Sequence, residues 1–235
     1  MVSLNYLLFL APALLLALLA QWMVSSAYQQ MRRIRAQMSG AEAARRILDA
    51  HGLDSVDIEA IGGELSDHYD PVSKVLRLSR EVYAGSSMAS VGIAAHEAGH
   101  ALQDAKRYSP LVIRNLAVPV ANFGSGLGTL LMFLGLGMMF SASTAVLGKG
   151  IFLIGIVAFA GVVFFQLVNL PVEFDASARA KTELVRLGIV SAPELPYVSR
   201  VLNAAALTYV AATLQTVLTL AYYIFEWMNA SSRER

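Results

Sequence analysis

Val91-Gly92-Ile93-Ala94-Ala95-His96-Glu97-Ala98-Gly99-His100-Ala101-Leu102 decides how the rest of this sequence is read. It carries H-E-x-x-H inside a run that predicts a helix over about Ser87–Ala105. On a helix, positions i and i+4 lie one above the other on the same face. His96 and His100 can therefore aim both imidazoles at one point, as two zinc ligands. Glu97 sits one step round the helix, near enough to touch a water on the metal without binding the metal. Zinc lowers the pKa of bound water to about 7, and a carboxylate beside it can take the proton. That combination hydrolyses amide bonds.

A solvated helix face could carry the same spacing by accident. The flanking residues argue against it: Val91, Ile93, Ala94, Ala95, Ala98, Ala101 and Leu102 predict a buried helix. Buried His and Glu need partners, and a metal supplies them. Gly99 costs a helix interior about 1 kcal/mol relative to Ala. Close approach of another backbone would account for it.

Of the 235 residues, 56% are apolar and only 15% charged, and mean hydropathy is +0.55. Soluble domains average about 25% charged residues. A net charge of +1 gives no case for nucleic-acid binding. There are no cysteines, so thiolate zinc sites are excluded and His and carboxylate remain as the strong side-chain ligands.

Working outward, Leu4–Val24 is the first apolar run, long enough at 1.5 Å per residue to cross a bilayer. Met1–Asn5 carries no Lys or Arg, so an uncleaved anchor is expected rather than a signal peptide. Ser39 to Glu42 has the form of a capping box, opening a short amphipathic helix that Gly52 stops. His51 at its end reads as structural. Ser55–Ile61 reads as a strand and Gly62-Gly63 as a turn. Asp70-Pro71 then separates Glu64–Tyr69 from Val75–Ser79 as a hairpin or wider turn. Asp67 and Asp70 are read as turn formers. His68 is a candidate third ligand, but a turn-flanking role or a substrate contact is favoured. The exposed edge over Asp67–Asp70 is a candidate platform for an extended peptide.

Beyond the motif, Asn115–Phe140, Ile151–Leu170 and Ala204–Met228 are three further spans. Glycines 124, 126, 128, 135 and 137 stud the second, which predicts close helix packing. The expected division is thus spans at 4–24, 115–140, 151–170 and 204–228, with polar parts at 25–114 and 171–203. All 18 Lys and Arg residues except Lys149, Arg233 and Arg235 fall in those two polar parts. Positive flanks stay in the cytoplasm, so both termini are expected outside and the motif inside, in the plasma or inner membrane.

A catalytic zinc needs a third protein ligand and an open position. The downstream candidates are Glu173, Asp175 and Glu183. Glu173 follows the third span by two residues and is favoured. Asp175 and Arg179 stand at i,i+4 and can pair on the helix surface.

Five stretches carry a resemblance: Gly40–Leu48, Leu65–Pro71, Ala95–Ala101, Leu170–Ser177 and Ala204–Val210. In this order, over nearly the whole chain, they resemble the YugP-type membrane zinc metallopeptidases. The resemblance implies Zn2+ and endopeptidase activity. More distantly the chain is similar to gluzincin membrane peptidases of the HtpX and CAAX-protease kind. Their pattern places an Asp that orients a ligand His four residues after the ligand Glu. Here Glu173 matches the Glu, but position +4 is Ser177, and a hydroxyl holds a His less firmly than a carboxylate. For the donor that stabilises the transition state, Tyr209, Arg200 and His68 stay open as alternatives.

The expected fold class is a mostly α membrane protein: four transmembrane helices with a small zincin-like α+β catalytic part at the cytoplasmic surface. The expected function is a zinc endopeptidase acting on membrane or membrane-proximal proteins, with His96, His100 and Glu173 on zinc and Glu97 as the acid–base group. The alternative is a zinc-binding membrane scaffold or adaptor with little turnover. A transporter fits less well, because the spans hold almost no ionisable residues.

Overall fold

The computed structural model describes residues 4–63 and 66–232. The expectations for the start of the n-region (1–3), for Glu64 and Leu65, and for the tail Arg233–Arg235 lie outside the described residues. The elements run α1 (Leu4–Met31), α2 (Gly40–Asp49), β1 (Asp57–Ile61), β2 (His68–Asp70), β3 (Val75–Ser79), α3 (Arg80–Ala84) and α4 (Met88–Ala105). Then come α5 (Ser109–Phe123), a π-helical turn (Gly124–Gly128), α6 (Thr129–Met138), α7 (Ala145–Arg186) and α8 (Leu195–Ser232). The described residues are mostly helical with a small three-stranded sheet. Among the described residues, four helical stretches are long and apolar enough to cross a membrane: Asn5–Met31, Ser109–Met138, Ala145–Arg186 and Leu195–Ala230.

The chain forms two compact units. One contains Met1–Leu18, Ile113–Leu170 and Tyr209–Arg235; the other contains Leu19–Val112 and Pro171–Thr208. In the first, Met132, Phe152, Ile156 and Phe159 are buried together with Tyr222 and Tyr223. Tyr6 meets Tyr222 edge-on at 4.9 Å, and Phe152 meets Tyr223 at 5.9 Å. The glycine-studded second span packs as its composition predicts. A Cβ at Gly135 would lie 2.5 Å from the Phe152 nitrogen, and one at Gly155 would lie 2.7 Å from the Met132 nitrogen. Gly126 and Gly137 meet nothing within 4 Å, so only part of the glycine series is spent on close approach.

The second unit holds the sheet and α4. Ile47, Leu48, Leu76, Leu78, Val91, Leu184 and Ile189 form its dry core. The capping box at α2 is present: Ser39 Oγ accepts from the Glu42 N–H at 3.2 Å, and Glu42 Oε2 accepts from the Ser39 N–H at 2.7 Å. Gly52 sits just past the helix with φ +67, a left-handed conformation that costs glycine nothing. Strand order is β1-β3-β2, with β2–β3 the expected antiparallel hairpin and β1–β3 parallel. Asp70 builds the turn, accepting from the Val72 N–H at 2.9 Å and from Ser73 Oγ at 2.6 Å. Asp67 accepts instead from the Ser79 N–H and hydroxyl, closing the other end of the hairpin.

Several helices run past the expected spans: α1 continues to Met31, α8 begins at Leu195, and α7 runs on through Pro171 to Arg186 without a break. Proline inside a helix removes one N–H and one i→i−4 bond. That loss is local, and the apolar face of Val172, Ala176, Ala180 and Leu184, all buried, carries the helix onward.

Candidate metal centre

α4 begins where Ser87 accepts from the Ser90 N–H, and both hydroxyls share a further bond. From that cap the helix buries Val91, Ala94, Ala95, Ala98, Ala101 and Leu102. His96 and His100 follow one turn apart, their rings edge-on at 4.8 Å. Gly99, between them, is where another backbone comes close: a Cβ there would sit 2.6 Å from the Ala176 carbonyl oxygen of α7. The glycine lets α7 approach close enough to present Glu173.

Glu173 Oε2 lies 3.3 Å from His96 Nε2 and 3.6 Å from His100 Nε2. One ligand atom from each of the three residues falls within 4.8 Å of the others, so the group could hold a metal ion. All three are largely withdrawn from solvent, and Glu173 Oε2 is buried with no hydrogen-bond partner. A buried carboxylate oxygen without a donor costs free energy unless a cation satisfies it. Donors about 2.0–2.1 Å from a tetrahedral zinc stand about 3.3–3.4 Å apart. The His96–Glu173 separation of 3.3 Å falls in that spacing and the His100–Glu173 separation of 3.6 Å is slightly wider, and two His with one Glu is a donor set of catalytic zinc.

Glu97 is 8% exposed and lies close enough to His100 to act on its charge. Burial alone lowers the His100 imidazole pKa; the Glu173 and Glu97 carboxylates beside it outweigh this and raise it.

The other ring nitrogens are held as well. His96 Nδ1 is 3.1 Å from Ser177 Oγ, so the residue at the +4 position does meet a ligand-candidate histidine. His100 Nδ1 is 3.0 Å from Gln103 Oε1. Gln103 was not found by sequence reasoning. Its signal was there, three residues after His100 on the same helix face and polar within an apolar run. The sequence reading gave Asp175 only a surface pair with Arg179. That pair exists, Arg179 Nε to Asp175 Oδ2 at 2.5 Å, but the same Oδ2 also accepts from Gln103 Nε2 at 2.8 Å. Asp175 therefore belongs to the surroundings of the centre, because α7 turns it toward α4.

The remaining candidates lie elsewhere. Glu183 pairs with His51 Nε2 at 3.1 Å and with Arg186 at 2.6 Å, which also gives His51 the structural place expected of it. His68 is exposed, with Nδ1 2.8 Å from the Ser66 carbonyl oxygen. Arg200 donates to Gln30 Oε1 at 3.1 Å. β2 is tied to α4 through Tyr69, whose hydroxyl donates to Asp104 at 2.7 Å. A cavity of about 550 Å³ in the same unit is lined by Gln21, Tyr28, Arg32, Gly62, Arg80 and their neighbours, and by none of the three donors.

Comparison with known proteins gives two matches. Residues 6–228 match the family described as "Putative neutral zinc metallopeptidase". The chain is 44% identical over 219 residues to the "Putative membrane protease YugP" of Bacillus subtilis (strain 168), covering 92% of this chain and 94% of that protein. No solved structure matches.

Proposed function

This chain belongs to the family of neutral zinc metallopeptidases matched above, a zinc-dependent family, and from that premise we propose that it is a multi-pass membrane endopeptidase using His96, His100 and Glu173 to hold Zn2+ and Glu97 to move the proton. The observation that carries the reading is the orphaned, buried Glu173 Oε2 facing two imidazole nitrogens. Zinc bound there supplies Lewis acidity and makes water a nucleophile near neutral pH. Glu97 takes a proton from the attacking water and delivers it to the leaving amine nitrogen. Ser177 and Gln103 hold the rings of His96 and His100.

The arrangement is gluzincin-like: two His on one helix and a Glu on a later one, with position +4 serving a histidine. The polar parts, residues 25–114 and 171–203, form a zincin-like catalytic part. The Lys and Arg distribution supports placing it on the cytoplasmic face, with both termini outside. Substrates on this reading are membrane or membrane-proximal proteins. Among the described residues β2 is the edge strand of the sheet, paired with β3, which offers an edge over Asp67–Asp70 for an extended peptide.

One observation favours a second reading, a zinc-binding scaffold with little turnover. His96 rests on a hydroxyl where a carboxylate would hold it more firmly. The decisive experiment uses full-chain protein in lipid, wild type against Glu97→Ala, with zinc content and cleavage of membrane-protein candidates measured on the same samples. Wild type should cleave, and Glu97→Ala should keep its zinc and lose at least about 100-fold in rate. Equal cleavage by both, or no cleavage by zinc-loaded wild type, would turn the assignment to the scaffold.

A further inference from the structure

We propose that Gln103 is a positioning residue of the metal centre: it determines which nitrogen His100 presents and ties that ring to the stretch of α7 that carries Glu173. The inference rests on the function proposed above and deepens it.

Gln103 is completely buried, an unusual place for a primary amide. All its hydrogen bonds have a purpose. Nε2 donates to the Val172 carbonyl oxygen at 2.8 Å and to Asp175 Oδ2 at 2.8 Å. Both of those partners are acceptors with nothing to donate. The amide therefore cannot be turned round, since a flip would set Oε1 against two oxygens. With the nitrogen committed to α7, Oε1 is the atom that faces His100 Nδ1 at 3.0 Å. An amide oxygen only accepts, so His100 must carry its proton on Nδ1. That leaves the Nε2 lone pair free, 3.6 Å from Glu173 Oε2.

His96 is held differently. A serine hydroxyl can donate or accept, so Ser177 leaves the His96 tautomer open. One histidine of the pair is fixed by chemistry and the other only by position. The same amide also joins two elements: Val172 immediately precedes Glu173, and Asp175 lies two residues after it. Asp175 is itself held by Arg179, whose guanidinium stacks over Tyr108 at 5.6 Å. The chain of contacts runs His100–Gln103–Asp175–Arg179.

Zinc affinity of the full-chain protein, read by competition with a chromophoric chelator, tests this without reference to cleavage. Gln103→Met keeps the volume and removes the polar contacts; it should weaken zinc binding about 10–100-fold. Asp175→Ala should weaken it by less. In the Gln103→Met background Asp175→Ala should have no further effect, because its path to His100 is gone. A residue that merely fills space would not produce that dependence. Zinc held by Gln103→Met within twofold of wild type, or equal Asp175→Ala losses in both backgrounds, would overturn the proposal. Should Gln103→Met fail to fold, histidine 15N spectra of zinc-loaded wild type decide. His100 should bind through Nε2 with a slowly exchanging proton on Nδ1, and binding through Nδ1 would overturn the proposal. Wild type that takes up no zinc would overturn the proposed function as well, whereas zinc-binding wild type with an unaffected Gln103→Met overturns this inference alone.

Discussion

Gly135 and Gly99 meet the same steric condition in different units. A Cβ at Gly135 would stand 2.5 Å from the Phe152 nitrogen, and one at Gly99 would stand 2.6 Å from the Ala176 carbonyl oxygen. Around Gly135 the nearest atoms are backbone of Phe152 and Gly148, and Phe152 in turn belongs to the apolar cluster of Met132 and Ile156, so close contact is what the approach achieves. Lipid offers helices no hydrophobic reason to associate, so small residues that admit tight packing take over that task. Around Gly99 the approach brings polar groups into register: Gln103 with Val172 and Asp175, Ser177 with His96, Glu173 with both imidazoles. The lesson is that one packing device serves cohesion in one unit and chemistry in the other.

The sharpest way to break the comparison is to remove the charge that only one unit depends on. Glu173→Gln keeps the shape of the side chain and loses the anionic donor. Zinc affinity should fall by at least about 100-fold and cleavage should disappear with it. Unchanged zinc content by metal analysis would mean that another carboxylate closes the centre.

Next comes the paired glycine test. Gly99→Ala must push α4 off Ala176, and since that is backbone it cannot move aside cheaply. Zinc affinity should drop about tenfold or more along with stability. Gly135→Ala should cost stability on a similar scale, about 1–3 kcal/mol by thermal denaturation in detergent, and leave the zinc affinity of the folded fraction unchanged. Equal losses of zinc in both variants would erase the distinction between the units.

A smaller effect is expected at Ser177. Ser177→Asp places a carboxylate against His96 Nδ1 and should tighten zinc several-fold by chelator competition. Weaker binding would show that the added charge is not aimed at the ring.

The smallest effect lies away from the centre, at the β2–β3 turn. Hydrogen bonds from Ser73, Arg77 and the Val72 N–H hold the Asp70 carboxyl below the usual carboxylate range. A depressed folded value stabilises the turn at pH above the unfolded value of about 3.9, and the contribution is lost as pH falls through the folded value. Chemical shifts of the Val72 and Ser73 amides should stay constant from pH 7 down to about 4 and move only below it. A midpoint above pH 4 would contradict these contacts.

Much of this was legible in the sequence because the relevant signals are local. The i,i+4 histidines, the Ser39–Glu42 box, the Asp70-Pro71 turn and the four apolar runs each rest on a few adjacent residues. Gly99 was legible too, as a helix residue whose cost demanded a close neighbour, though not which one. What the sequence hid depends on pairings across long separations. The parallel pairing of β1 with β3 cannot be read from alternation, which gives a face and not a partner. Pro171 gives no local sign of whether a helix starts there or continues through it, and burial of the α7 face carries the helix on. Gln103 and Asp175 were passed over because each has an ordinary local explanation, and their meeting exists only once α4 and α7 are side by side.

The placement of Glu173 also sets an order in time. His100 and Glu173 stand 73 positions apart in the chain, with the second and third apolar runs between them. A ribosome adding about 5–20 residues per second takes roughly 4–15 s to travel from one to the other. During that interval the newborn protein has two imidazoles and no carboxylate to complete the set. Completion of the donor set is therefore tied to synthesis itself: a chain arrested before Glu173 carries two of the three candidate donors.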